Sequence, residues 1–332
     1  TDSKEITFDG QLGKIYNNAQ LMGKIDLPTH ISTSFRFIAS ISTFDYYKKD
    51  KLFSRNDKPS FNSKDERFVK LMVALPFLAN KRAEFSLGYG QLEDNYFQSS
   101  VIDFDKDRSD RSTYKLLGGS IGFYGSTLNT RQYATKGYLE KLIAQVFTGR
   151  ERFEPGNPQE GYSPSPQERQ SWLQISYMKE AYHTMGPKFT LGWMAEALYS
   201  SKNFSENYTA TMMQAGEFAP TPHSKLMYNE AFRANQYVAA GIKPIYVLND
   251  MFQFRTEFYG FTPIFPIKKN ALNKAYYGKA FSRFEYMGEV SVICHLPFGA
   301  ISAYVNHYSS PRREWNVGMT IGWQLFNYRF VE

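Results

Sequence analysis

The stretch Trp315-Asn316-Val317-Gly318-Met319-Thr320-Ile321-Gly322-Trp323-Gln324-Leu325 decides the fold. Trp315, Val317, Met319, Ile321, Trp323 and Leu325 alternate with Asn316, Gly318, Thr320, Gly322 and Gln324. Successive strand side chains point to opposite faces, so one face here is large and apolar, the other small or polar. Fourteen stretches of the chain carry this rhythm. It predicts strands over Ile6–Tyr16, Ala19–Leu27, Ile31–Tyr47, Arg67–Phe77, Arg82–Gln91, Thr113–Thr127 and Gly137–Thr148. Ser171–Tyr182, Phe189–Tyr199, Asn235–Leu248, Phe252–Ile264, Gly278–Ile293, Ala300–Tyr308 and Glu314–Phe326 complete the series. Each reaches the roughly 9–11 residues that a tilted strand needs to cross a bilayer core.

The connections alternate too. Lys48–Glu66, Gln98–Ser112, Gly149–Gln170, Ser200–Ala234 and Phe265–Tyr277 are long. Leu78–Lys81, His183–Lys188, Asn249–Met251 and Cys294–Gly299 are short, and Leu128–Lys136 is intermediate. Short turns at one end and long loops at the other are the habit of transmembrane barrels, with the short turns periplasmic. A soluble sandwich has no reason for such sidedness. The expected fold is therefore all-β: one transmembrane antiparallel β-barrel domain over residues 1–332, with fourteen strands visible.

Composition agrees. The chain has 28 Phe, 24 Tyr and 4 Trp, yet hydrophobic residues make up only 42%. A helical membrane protein would show about 18 or more consecutive apolar residues, and none appears. The longest stretch without Asp, Glu, Lys or Arg, Val290–Pro311, is broken by Pro297-Phe298-Gly299. The net charge of +7 comes from scattered residues and from connections such as Lys48-Lys49-Asp50-Lys51 and Lys268-Lys269. With no basic stripe, nucleic acid is not an expected partner. Cys294 is the only cysteine, which rules out an internal disulfide and any paired-cysteine zinc site. Thr1 follows neither an initiator Met nor a signal peptide, which implies a piece of a longer protein.

A lipid-facing Lys or Arg near the midplane costs about 2–4 kcal/mol, so the strand charges must face inward. The alternation puts Glu84, Glu196, Arg255, Glu257, Arg283, Glu285 and Glu289 in the lumen. Tyr46, Tyr47, Tyr199, Tyr276, Tyr277 and Tyr308 fall near strand ends, where interfacial girdles stand. The rival architecture is a soluble β-sandwich with aromatic inner faces.

Gly118-Gly119-Ser120-Ile121-Gly122 matches G-x-S-x-G, which in serine hydrolases is a strand-to-helix elbow. Here Ile121 and Phe123 keep the strand rhythm, so a soluble acyl hydrolase using Ser120 is the lesser reading. Asp103, Asp105, Asp107 and Asp110 begin like a calcium loop, but Arg108 and Tyr114 stand where Gly and Glu are needed. His30, His183, His223, His295 and His307 are scattered, and no metal or cofactor is expected.

The longest connection contains Ala219-Pro220-Thr221-Pro222-His223-Ser224-Lys225 and leads into Phe232-Arg233-Ala234-Asn235-Gln236-Tyr237. This segment resembles the sixth external loop of the BamA-type superfamily of outer-membrane barrels. In that superfamily a (V/I)-R-G-(F/Y) motif folds into the lumen and its Arg pairs with an acidic residue of the wall. Arg233 matches that Arg, while Ala234-Asn235 replaces the Gly. The resemblance implies that the loop over about 200–234 folds inward, with Glu257 the chosen partner of Arg233. Asn316-x-Gly318-x-x-Ile321-x-Trp323 is similar to the assembly signal of last barrel strands, with Phe330 as its terminal aromatic.

Leu128-Asn129-Thr130-Arg131-Gln132-Tyr133-Ala134-Thr135-Lys136-Gly137 and Phe232 to Gly241 narrow the likeness. They resemble the C-terminal barrel of patatin-like outer-membrane proteins of Bacteroidetes. The resemblance implies a barrel of about sixteen strands, two of them before Thr1, preceded by periplasmic and patatin hydrolase domains that this chain lacks. It also implies a bacterial outer-membrane location and a role as anchor and translocator, with no enzyme in this chain. Outer-membrane lipid, lipopolysaccharide and a cargo domain or partner outer-membrane or periplasmic proteins are the implied partners. An outer-membrane insertase is the runner-up.

Overall fold

The computed structural model describes residues 3–13, 15–27, 32–46, 62–98, 106–157, 169–297, 299–310, 315–322 and 328–331. In chain order the elements begin with β1 (Ser3–Gln11), β2 (Tyr16–Leu27), β3 (Thr33–Tyr46), β4 (Asn62–Leu78), β5 (Lys81–Tyr96) and β6 (Asp110–Ser126). β7 (Gly137–Glu154), β8 (Arg169–Thr184) and β9 (Phe189–Ser200) follow. A long insertion then carries α1 (Tyr208–Gln214), β10 (Gly216–Glu217) and β11 (Arg233–Ala234). β12 (Gln236–Val247), β13 (Phe252–Pro263), the small hairpin β14 (Ile267–Lys269) and β15 (Ala275–Tyr277), β16 (Glu285–Leu296), β17 (Gly299–Tyr308) and β18 (Trp315–Ile321) complete the chain.

Fourteen of these strands form one antiparallel sheet in sequence order, β1 to β9, then β12, β13, β16, β17 and β18. They answer one for one to the fourteen alternating stretches. Among the described residues β1 and β18 do not pair, so the sheet curls without closing.

Burial decides between barrel and sandwich. On β4, Leu71 is 60% exposed while the neighbouring Lys70 is only 7% exposed. Phe37, Leu87, Ile121, Val146 and Phe258 are likewise exposed, and Glu66, Glu84, Arg255 and Glu289 are buried. In water each exposed apolar side chain would forfeit about 25 cal/mol per Å². In lipid the same surface costs nothing, and the polar face is the one that must be enclosed. The fold is that of a transmembrane β-barrel, with the apolar face turned outward to lipid. No described helix is long and apolar enough to cross a membrane, and the strands do the crossing.

Several boundaries differ from the alternation: β1 ends at Gln11, not Tyr16, β5 runs on to Tyr96 and β7 to Glu154, and three further differences have a visible cause. β4 starts at Asn62, not Arg67, because Ser63 to Glu66 stay in register with Leu92 to Asn95 where both faces are polar and no alternation shows. β16 starts at Glu285, not Gly278: residues between β15 and β16 turn instead, with Phe281 at φ 51°. β18 ends at Ile321, since Gly322 takes φ 101°, a left-handed conformation that breaks the strand. Two girdle assignments are also corrected. Tyr46 and Tyr308 are buried on the inner side, Tyr46 against Tyr228 and Tyr308 against Phe232. Tyr199, Tyr276 and Tyr277 stay exposed, and Tyr47 lies outside the described residues.

Candidate functional site

The connection from β9 to β12 folds inward along its length: Met212, Met213, Phe218, His223, Phe232 and Ala234 are all buried. α1 is capped by Asn207, whose side chain accepts from the Ala210 N–H and donates to the Tyr96 hydroxyl at 2.8 Å. Beside it, Lys202 Nζ donates to Gln214 at 3.0 Å and lies 4.5 and 4.8 Å from the rings of Tyr114 and Trp172. Burial there holds its ammonium pKa down to about 8. Further along, Phe218 and Phe232 join Tyr237, Tyr259 and Phe261 of the wall in one apolar cluster.

At the loop's innermost turn, His223 Nδ1 and Glu289 Oε1 of β16 are 2.7 Å apart, both side chains buried. The Thr221 hydroxyl donates to the other Glu289 oxygen at 3.0 Å. The imidazole stacks on Tyr304 of β17 at 3.6 Å, and its Nε2 meets Ser302 at 3.1 Å. From the opposite, short-turn end, the connection 127–136 also bends inward. Its Tyr133 hydroxyl reaches Ser302 at 3.1 Å and His223 at 3.4 Å. Loop tip, wall and short-side turn therefore converge on one buried cluster, and Ser302 passes the contact on to Thr320 of β18.

The expected Arg233–Glu257 lock is not formed. Arg233 pairs with Glu217 at 2.8 Å across the β10–β11 hairpin, donates to the Met213 and Ala215 carbonyls, and covers the Tyr228 ring at 4.7 Å. It braces the loop against itself. Glu257 is held by Arg255 Nε at 2.9 Å and by the Tyr259 hydroxyl at 2.6 Å. Its cross-strand neighbour in register is Glu289, the acid that does meet the loop.

A signal for this was present in the sequence. A basic residue two before an acid in locally extended chain lies on the same side and pairs with it. Arg82–Glu84 at 2.6 Å, Arg255–Glu257 at 2.9 Å and Arg283–Glu285 at 2.7 Å all follow the pattern. Glu289 is flanked at that spacing by Met287 and Ser291, which leaves it open to the loop. Glu196 likewise lacks such a partner in sequence and accepts from the Tyr237 hydroxyl at 2.5 Å.

On the last strand, Asn316 donates to Asn306 at 3.1 Å. Gly318 sits where any Cβ would collide with the Tyr304 ring, so it makes room for the ring that stacks on His223. Ile321 faces outward and Trp323 lies outside the described residues. Phe330, the terminal aromatic of the expected assembly signal, is buried inside, against Phe68 and Phe147. Ser120 continues through β6 and hydrogen-bonds Ser86 across the sheet at 2.6 Å. Asp110 accepts from the Gly156 N–H at 2.8 Å, while Asp103 and Asp105 lie outside the described residues.

No family model matches the sequence, and no curated protein is similar to it. Solved structures are similar in fold. The crystal structure of BamA from Haemophilus ducreyi lacking POTRA domains 1-3 superposes with a TM-score of 0.60 at 10% identity. The match covers 95% of this chain and 63% of that one, so the chain spans less than two thirds of its length. CdiB from Acinetobacter baumannii matches at 9% identity over 96% of this chain and 64% of that one, with a TM-score of 0.45. The translocator domain of autotransporter NalP from Neisseria meningitidis gives 8%, 89%, 86% and 0.34 in the same order. Of the three, the BamA likeness alone is strong enough to bear on the fold, which is the barrel that burial and register already require.

Proposed function

We propose that this chain is a bacterial outer-membrane barrel of the translocator or insertase type, with its lumen closed by the loop over 201–235. The buried His223–Glu289 contact supports this most directly, because it ties the loop tip to the wall where a channel would otherwise run. A passive pore has no use for such a plug. Arg233 contributes by stiffening the loop through Glu217 rather than by reaching the wall.

Within that class our reading is an anchor and translocator domain of a patatin-like protein, surrounded by outer-membrane lipid and lipopolysaccharide. No covalent chemistry is assigned to it. A second reading, insertion of other barrel proteins, draws support from the BamA-like fold and from the edges of β1 and β18, which are unpaired among the described residues. The residues encoded upstream of Thr1 discriminate: a patatin-like hydrolase supports the anchor, and periplasmic repeat modules alone support the insertase.

Planar-bilayer recordings test the closure. Wild-type protein should conduct rarely, and His223→Ala should open it. If both variants conduct alike, the chain is a passive pore and the closure reading fails.

A further inference from the structure

The second filled region of the lumen is made by the segment after β18. Phe330 lies over a row that crosses four strands in register: Lys70 on β4, Gly88 on β5, Gly118 on β6 and Phe147 on β7. A Cβ at Gly90 would stand 2.9 Å from the ring, and one at Gly88 3.1 Å from it. The glycines thus form a recess that fits an aromatic side chain, walled by Phe68 and Phe147 with ring centroids at 5.8 Å. Polar groups fix the backbone. Lys70 Nζ donates to the Arg329 carbonyl at 3.1 Å and to that of Phe330 at 3.5 Å, and the Phe330 N–H donates to Glu66 at 3.4 Å. The Arg329 guanidinium lies in the field of two acids, Glu66 of the wall and Glu217 of the loop. Tyr328 and Val331 pack at the edge of the same cluster.

We propose that the inner wall of β4 to β7 is a peptide-binding socket for a short Arg-aromatic segment. It is occupied by the chain's own Tyr328–Val331, which closes that half of the lumen. Shape and backbone contacts are both present, as strand-wall recognition of a short segment needs. The glycines have a cost in strand stability that an empty lumen wall would not repay. The closing role rests on the barrel function proposed above, whereas occupancy of the socket does not.

Trypsin separates the two. Arg329 in folded wild-type protein should resist cleavage. Phe330→Ala, which empties the recess, and Gly90→Leu, which fills it, should each be cut after Arg329 on the order of a hundredfold faster, since proteolysis follows the opened population. His223→Ala should raise that rate by no more than a few-fold, because of the two acids around Arg329 only Glu217 belongs to the loop it loosens. Equal cleavage of wild type and both variants overturns the socket. In planar bilayers Phe330→Ala should raise conductance, and a capped Tyr-Arg-Phe-Val peptide should lower it again. Cleavage without any conductance change overturns the closing role alone, and a peptide without effect overturns recognition of the motif in trans.

Discussion

The two halves of the inner wall are closed by different physics. The tip of the 201–235 loop is pinned to the wall at β16 and β17 by a few buried polar contacts, chiefly His223 and Thr221 on Glu289. From β4 to β7 the 328–331 segment is held mostly by fit, one aromatic ring in a glycine recess. A buried hydrogen-bonded pair is costly to break from one side, because the partner is left desolvated and unsatisfied. A fitted ring fails more gradually, in proportion to the volume left empty. The pinned half suits a latch that either holds or releases. The fitted half suits a seat that a competing segment could take.

The sharpest test removes the carboxylate of the latch. Glu289→Ala leaves His223 and Thr221 without their acceptor in the lumen and should cost about 1–3 kcal/mol of loop docking for each group left unsatisfied. The expected outcome is frequent channel opening and protease access to the loop, with cleavage after Arg329 raised by no more than a few-fold. Glu257→Ala should instead disturb Arg255 and Tyr259 while leaving His223 seated. If Glu257→Ala opened the channel and Glu289→Ala did not, the latch would be misassigned.

The next effect comes through the wall behind the latch. Gly318→Val would push the Tyr304 ring out of its stack on His223. Overpacking of this kind costs about 1–3 kcal/mol. Opening should rise, though less than in Glu289→Ala, and Gly318→Ala should fall between. A variant that conducts like wild type would show that the stack does not help hold the tip.

A pH test reads the base of the loop. Buried Lys202 has a pKa of about 8, whereas a released lysine returns to about 10.4. Below about pH 8 both states carry the charge, and docking bears the whole cost of burying it. Between these values the released loop binds the extra proton, so docking strengthens as pH rises through that window. Open probability should fall from pH 8 to 9.5, and Lys202→Met should flatten the dependence. A slope of opposite sign would mean that Lys202 is not buried when the loop is docked.

How much of this was legible follows from which constraint each residue answers to. The outward face was readable because lipid tolerates only apolar side chains at every second position. An inward loop was readable from its length and from the residues around Arg233. The partner acid was harder, because Glu257 and Glu289 stand opposite each other on adjacent strands and alternation gives both the same face. The i,i+2 spacing of Arg255 and Glu257 separates them, since a carboxylate already neutralised on its own strand has little to offer a loop. The destination of Phe330 was not legible: it depends on a recess built across four strands distant from it in sequence.

The smallest predicted effect bears on the lesser reading of the chain. Ser120 stands in neither closure, and its hydroxyl is engaged by Ser86 across the sheet. A nucleophilic serine needs a base within reach and a sharp turn that lifts it from the sheet, whereas β6 runs straight through this position in full register with β5 and β7. Ser120→Ala should therefore cost no more than the single hydrogen bond, about 0.5–1.5 kcal/mol. Conductance, tail cleavage and any lipase activity of the purified barrel should be those of the wild type. Ser86→Ala should match it, because each change deletes one end of the same contact. A loss of ester hydrolysis in Ser120→Ala but not in Ser86→Ala would instead make the serine a nucleophile, and the G-x-S-x-G match more than a coincidence of strand rhythm.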